Sequence, residues 1–295
     1  MIKNSKIIAH NPQLELLMNN FVKKFPHAWI FAGIKGIGKH TTAMEFIKKV
    51  YNHTNSFEQN VFQINSDKNT ALIEDIRTLI NQINLTNANV NQKCFVVIDN
   101  LENLNFNSYN ALLKTIEEPP NNTILILICH NTNFVPRTIL SRCIKLNFSP
   151  LNKQELRDFC NLKKIDLEKF DLETCYNLIG GSIQRLLLLS SEKGRLFLNK
   201  INSFTETSTF KISEFNNIYD LISHDFENYY SIIAGCILEK LKKKYLKYFN
   251  NKEVLKDILK FFVSIEILTK QNLNIDNKKE LHYLLSEYVK INKYE

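Results

Sequence analysis

Three glycines and a lysine in the segment GIKGIGKH, Gly33 to His40, have the spacing of a loop that wraps a phosphate group. Gly33, Gly36 and Gly38 would let successive backbone N–H groups turn inward at a helix N-terminus, where the peptide dipoles also favour an anion. Lys39 would reach the terminal phosphates. The next position departs from the pattern G-x-x-x-x-G-K-[ST]. It is His40, and the hydroxyl that would ligate Mg²⁺ is missing. A neutral imidazole is a poor ligand for a hard, oxygen-preferring cation. Thr41 follows one residue late, about 100° around the helix, and does not take over without local rearrangement. The spacing predicts a phosphate cradle without its metal ligand.

A second constellation closes the apolar segment CFVVIDN, residues 94–100. Asp99, at the C-terminal end of a strand, is placed to hold Mg²⁺ through water. A strand-end carboxylate that only caps the following helix would occupy the same position. Asn100 stands where a carboxylate would activate the attacking water, and an amide cannot accept that proton. Glu102, two residues on, is a weak candidate to replace it. His40 removes metal binding and Asn100 removes water activation, independently of one another. The two together predict a site released from hydrolysis.

These residues need a strand–loop–helix frame, and the sequence supplies one. HAWIFAG (27–33) reads as a short strand and Lys39 to Val50 as the helix after the loop. VFQIN (61–65), CFVVIDN (94–100), TILILIC (123–129) and IKLNF (144–148) read as further strands. ALIEDIRTLINQI (71–83) has helical spacing, and the helix NSYNALLKTIEE (107–118) is stopped by Pro119 and Pro120. Near-continuous apolar strands alternating with helices predict a parallel sheet buried on both faces. After Pro150 the strand signal ends and helical segments follow, with Gly180-Gly181-Ser182 as a break and helix start. SFTETST (203–209) is the linker candidate. The expected architecture is an α/β domain with a five-stranded parallel sheet over 1–149, a small helical lid over 150–194 and an all-helical C-terminal domain over 195–295.

Bulk properties bound the reading. The chain has 295 residues, 44% hydrophobic and 23% charged, as an ordinary soluble globular protein would. Its net charge of +8 permits a nucleic-acid partner. A background bias toward Asn, Lys and Ile would give the same charge without function. Six cysteines, none in a C-x-x-C pair, offer no zinc-ligand spacing and fit reduced core thiols of a cytoplasmic protein. The N-terminus carries no signal-peptide apolar region, and the longest apolar run, Ile124 to Cys129, is too short to span a membrane. EKLKKKYLKYF (239–249) sets five lysines, Lys240 to Lys247, among aromatic and aliphatic residues. It reads as an amphipathic helix with a solvated lysine face.

The segment NALLKTIEEPPNNTILILICHNTNFVPRTILSRC, 110–143, resembles the AAA+ subunits of bacterial clamp loaders. HAWIFAG before the loop and FSPLNKQEL after the last strand resemble the same family. GGSIQRL (180–186) is similar to the lid-helix start of its delta-prime branch, with Arg185 three residues after the serine. The gamma/tau motor branch has its sensor arginine one residue earlier, where Gln184 stands. The resemblance covers residues 1 to about 190.

It implies that Arg142, in Ser141-Arg142-Cys143, acts as an arginine finger in trans at a neighbour's ATP. A guanidinium there would stabilise transition-state charge. It also implies a heteropentameric DNA polymerase III complex in which gamma/tau and delta subunits are partners and a sliding clamp is loaded onto primed DNA. ATP and Mg²⁺ would bind weakly or not at all in the chain's own site, with no cofactor or zinc required. The alternative is a gamma/tau-like ATPase with unusual metal ligation. A solitary phosphate-loop kinase leaves the SRC segment and the helical C-terminus unexplained.

Overall fold

β-Branched and aromatic residues fill five short strands, as a sheet covered on both faces requires. The computed structural model describes residues 9–22, 25–51, 60–65, 74, 76, 78, 93–165, 172–207, 211–247, 256, 259–261, 263 and 276–292. Packing divides the chain into two units, Met1–Phe159 and Cys160–Glu295.

In the first unit the strands are β1 (Ala28–Ala32), β2 (Val61–Asn65), β3 (Cys94–Asp99), β4 (Thr123–Cys129) and β5 (Ile144–Asn147). They pair in parallel in the order β2-β3-β4-β1-β5. Parallel register brings every C-terminal strand end to one edge, so the residues after β1, β3 and β4 meet there. Helices α1 (Asn11–Phe21), α2 (Lys39–Val50), α3 (Phe106–Glu117) and the single turn α4 (Arg137–Leu140) accompany the sheet.

Period-two alternation sends side chains to two cores. Ala28, Ile30, Val96, Ile98, Leu125 and Leu127 pack with Leu112 and Ile116 of α3 and Ile139 of α4. On the other face Phe46 of α2 meets Phe95 edge-on at 5.8 Å and stacks with Phe25, which stacks with Trp29. Each such fully buried side chain contributes roughly 1.5–3 kcal/mol.

Burial on both faces holds for β1, β3 and β4. It fails for β5, where Leu146 alone is buried, because β5 is an edge strand. Of the helix expected over 71–83, residues 74, 76 and 78 are helical and Ile76 is buried. The others lie outside the described residues. Helix α1 opens with Pro12 in its first turn, a helix-start signal that sequence reasoning left unused.

Helix α5 (Lys153–Lys163) runs from the first unit into the second. The second unit then holds α6 (Leu172–Ile179), α7 (Ile183–Ser190), α8 (Glu192–Thr207), α9 (Ile212–Ile222), α10 (Phe226–Lys247) and α11 (Asn277–Asn292). Gly180 and Gly181 break α6 from α7 in left-handed backbone, and the Ser182 side chain accepts the Arg185 N–H as a cap. The linker expected at 203–209 is corrected: 203–207 complete α8. Phe204 and Thr205 are buried there, and the Thr205 carbonyl accepts the Tyr288 hydroxyl at 3.0 Å. Residues 208 and 209 lie outside the described residues. The lysine-rich stretch is helical as far as Lys247; its last two residues also fall outside. No described helix is long and apolar enough to cross a membrane.

Candidate functional site

The loop leaving β1 is built around close backbone approach. A Cβ on Gly33 would lie 2.3 Å from the Phe148 carbonyl oxygen, so no larger residue fits. Gly38 caps α2 at a φ of 103°, in left-handed backbone, with no side-chain acceptor for the first-turn N–H groups. Gly36 is left-handed as well. From behind, His10 Nε2 donates to the Ile37 carbonyl at 2.9 Å. A carbonyl can only accept, so that nitrogen carries the proton. The same ring meets Phe148 edge-on at 4.9 Å, and burial lowers its pKa.

Lys39 is 3% exposed, and its ammonium donates to the carbonyls of Gly33 and Ile34 at 2.6 and 2.7 Å. The lysine therefore closes on its own loop. Burial pushes its pKa down to about 8, against the opposing pull of Asp99 and Glu102. Those two carboxylates are thus part of the same cluster. Asp99 stands at the end of β3, where its Oδ1 accepts the Asn100 N–H at 2.9 Å.

Asn100 is buried, with φ 53° and ψ 52°, and leads into a single 3₁₀ turn over Leu101–Asn103. Asparagine is among the few side chains that tolerate that conformation. Glu102, the weak candidate to replace a base at 100, is engaged elsewhere. Both its oxygens accept the His130 N–H, at 2.9 and 3.2 Å, which fixes the exit of β4. Burial raises the Glu102 pKa.

His40 turns away from the cluster. Its Nε2 meets Gln63 Oε1 at 3.2 Å, beside β2. Thr41 is exposed, while Thr42 Oγ1 donates to the Gly38 carbonyl at 3.0 Å within its own helix. Arg142 and Arg185 have other partners. Arg142 follows α4 on the outside of the first unit and pairs with Glu117 at 2.8 Å. Arg185 belongs to the second unit. Its Nη1 donates weakly to the Ile179 carbonyl at 3.5 Å, and its buried Nε has no acceptor among the described residues. Burial lowers its pKa and Glu227 opposes this.

Sequence reasoning missed His130. Its Nδ1 is buried without a partner among the described residues. Burial, then Lys39 and Lys35, push its pKa down to about 3. A polar residue directly after the apolar run TILILIC was the available signal. No metal-capable group of His, Cys, Asp and Glu exists among the described residues. The six cysteines are free thiols; five are buried, and Cys143 is half-buried.

A family described as DNA polymerase III, delta subunit, matches residues 10–152. The chain is 32% identical over 168 residues to the DNA polymerase III subunit tau of Bacillus subtilis. That stretch is 51% of this chain and 29% of that protein. It is 27% identical over 286 residues to the DNA polymerase III subunit gamma of Buchnera aphidicola from Schizaphis graminum, covering 89% of this chain and 77% of that one. In fold it is similar to a DNA polymerase III gamma subunit-related protein of Thermotoga maritima. The TM-score is 0.57 at 20% identity, over 94% of this chain and 99% of that one. The fold is a five-stranded parallel α/β sheet of AAA+ type with a helical C-terminal part. These sequence matches are all to DNA polymerase III subunits.

Proposed function

We propose that this chain is a non-hydrolysing, delta-prime-like subunit of a DNA polymerase III clamp loader. It lends Arg142 to the ATP site of a neighbour and helps load a sliding clamp onto primed DNA. The observation that carries the reading is a contrast. Lys39 is bonded into its own loop and no carboxylate or hydroxyl stands at 100 or 40, while Arg142 is exposed and oriented. Gly33, Gly36, Gly38 and Lys39 keep the shape of a phosphate cradle. His40, Thr41, Asp99 and Asn100 do not complete a metal and water site around it. ATP with Mg²⁺ binds there weakly or not at all, and no zinc is held.

The partners on this reading are gamma/tau and delta subunits. Residues 1–149 form the AAA+ domain, 150–194 the lid with Arg185, and 195–295 a collar that joins the oligomer. A second reading, a gamma/tau-like ATPase with unusual metal ligation, draws on the gamma and tau names of the relatives. It requires His40 to leave Gln63 and some group to act in place of Asn100. Phosphate release by the purified chain, with primed DNA and clamp added, separates the two. It is expected at buffer background. Turnover that disappears in Lys39→Ala would establish the second reading instead.

A further inference from the structure

The guanidinium of Arg142 is held on two of its edges. Its Nε donates to Glu117 Oε1, at the C-terminal end of α3, at 2.8 Å. Its Nη1 donates to the Thr138 carbonyl at 3.1 Å and to Ser141 Oγ at 3.3 Å. The Ser141 hydroxyl donates to the same Thr138 carbonyl at 3.1 Å, which turns a lone pair of Oγ toward Nη1.

The ground under these contacts is firm. The Arg142 N–H bonds to the Ile139 carbonyl at 3.1 Å, and Ile139 is fully buried. On the other side, Ile116 buries the turn of α3 that carries Glu117.

An exposed ion pair contributes little to folding, and here both side chains are nearly half exposed, at 43% and 49%. Its effect is on geometry. A free arginine samples many rotamers and loses that freedom whenever it must meet a phosphate in one pose. Holding Nε and Nη1 fixes the guanidinium in one pose while the side chain stays nearly half exposed.

We propose that Glu117 is a positioning residue for Arg142, fixing the side chain so that its exposed guanidinium meets a phosphate oxygen of the adjoining subunit's nucleotide. Ser141 assists from the opposite edge. The inference rests on the reading of Arg142 as a finger acting in trans.

The test uses the reconstituted complex of this chain with its ATP-hydrolysing neighbours, primed DNA and clamp, and ATP as the probe. Assembly of each variant is confirmed by gel filtration. Glu117→Ala is expected to lower kcat at the neighbour's site by about two- to fivefold, with KM for ATP nearly unchanged. Glu117→Gln retains an oxygen acceptor for Nε and should lose less. It also covers any disturbance of α3 by alanine. The double variant Glu117→Ala with Arg142→Ala should be no slower than Arg142→Ala alone, because the carboxylate acts only through the guanidinium.

Wild-type rates in both Glu117 variants beside an impaired Arg142→Ala would overturn the inference and leave the function standing. A further loss in the double variant would place the action of Glu117 elsewhere, and a rise in Glu117→Ala would make it a restraint. Either result overturns the inference. A wild-type rate in Arg142→Ala would overturn the function itself, and the inference with it.

Discussion

The phosphate loop and the Arg142 edge belong to the same α/β unit and treat a positive charge in opposite ways. At the loop, Lys39 is buried and two of its three donors are taken by Gly33 and Ile34. At the edge, Arg142 is nearly half exposed and braced by Glu117 and Ser141. The loop gives its cation two backbone acceptors; the edge gives its cation a carboxylate and leaves it in solvent. A side chain can therefore match a motif and be structurally occupied, while an arginine outside the phosphate-loop motif stays in solvent.

The comparison is broken most directly at Arg142. Arg142→Ala should leave fold and assembly intact, since exposed positions change stability little. At the one neighbouring site it serves, the loss should be about 10³–10⁵ in rate. Total ATPase of the complex would fall only in part. Arg142→Lys should not restore it, because an ammonium lacks the planar fork. The measurement is DNA- and clamp-stimulated phosphate release against the wild-type complex.

Rebuilding the loop side sharpens the contrast next. His40→Thr with Asn100→Glu should still give no hydrolysis by the chain alone. It should also destabilise, since the second substitution puts a buried carboxylate on left-handed backbone. The expected loss is about 1–3 kcal/mol, read by urea denaturation. Hydrolysis at motor-like rates would refute the account of the missing groups.

His130 offers an acid test of how closed the cluster is. Its folded pKa lies near 3, below the unfolded value of 6.5. The unfolded chain therefore takes up a proton that the folded chain refuses, and stability falls as pH drops below 6.5. By pH 5 this amounts to about 2 kcal/mol. His130→Asn should flatten the pH dependence of stability over that window, and an unchanged slope would mean that His130 is solvated.

Lys39 gives a smaller effect at the alkaline end. Its pKa near 8 means that the ammonium is lost well before an ordinary lysine loses its proton. Any residual binding of Mg²⁺-free ATP should weaken as pH rises through about 8 and become pH-independent in Lys39→Met. Fluorescent ATP titrations on either side of that pKa would detect this. The smallest effect is expected for Thr41→Ala. Thr41 is exposed, so stability should move by less than about 0.5 kcal/mol and nucleotide affinity not at all.

The strands were legible because burial on both faces writes itself as an unbroken apolar run, as in TILILIC. The loop was legible because its glycines and lysine sit at fixed spacing. Other features depend on partners far away in sequence. Nothing local in Glu102 announces that its carboxylate will hold the His130 N–H. Nor does the sequence around Glu117 and Pro119 show that an arginine 25 positions later (142 − 117) will rest on it. SFTETST reads as a linker because its serines and threonines outweigh one phenylalanine. Phe204 nonetheless reaches a core that only the folded helices create.

The contact at Gly33 has a mechanical consequence. Its Cα comes so close to the Phe148 carbonyl that not even a methyl group fits between them, and the Phe148 N–H bonds to the Ala32 carbonyl at 2.7 Å. The start of the loop and the chain leaving the edge strand are thus one hinge pin. A displacement of either is handed to the other at full amplitude, without side-chain padding to absorb it. Whatever the loop binds, such stiffness lets it serve as a fixed strut from which the rest of the α/β unit takes its bearing.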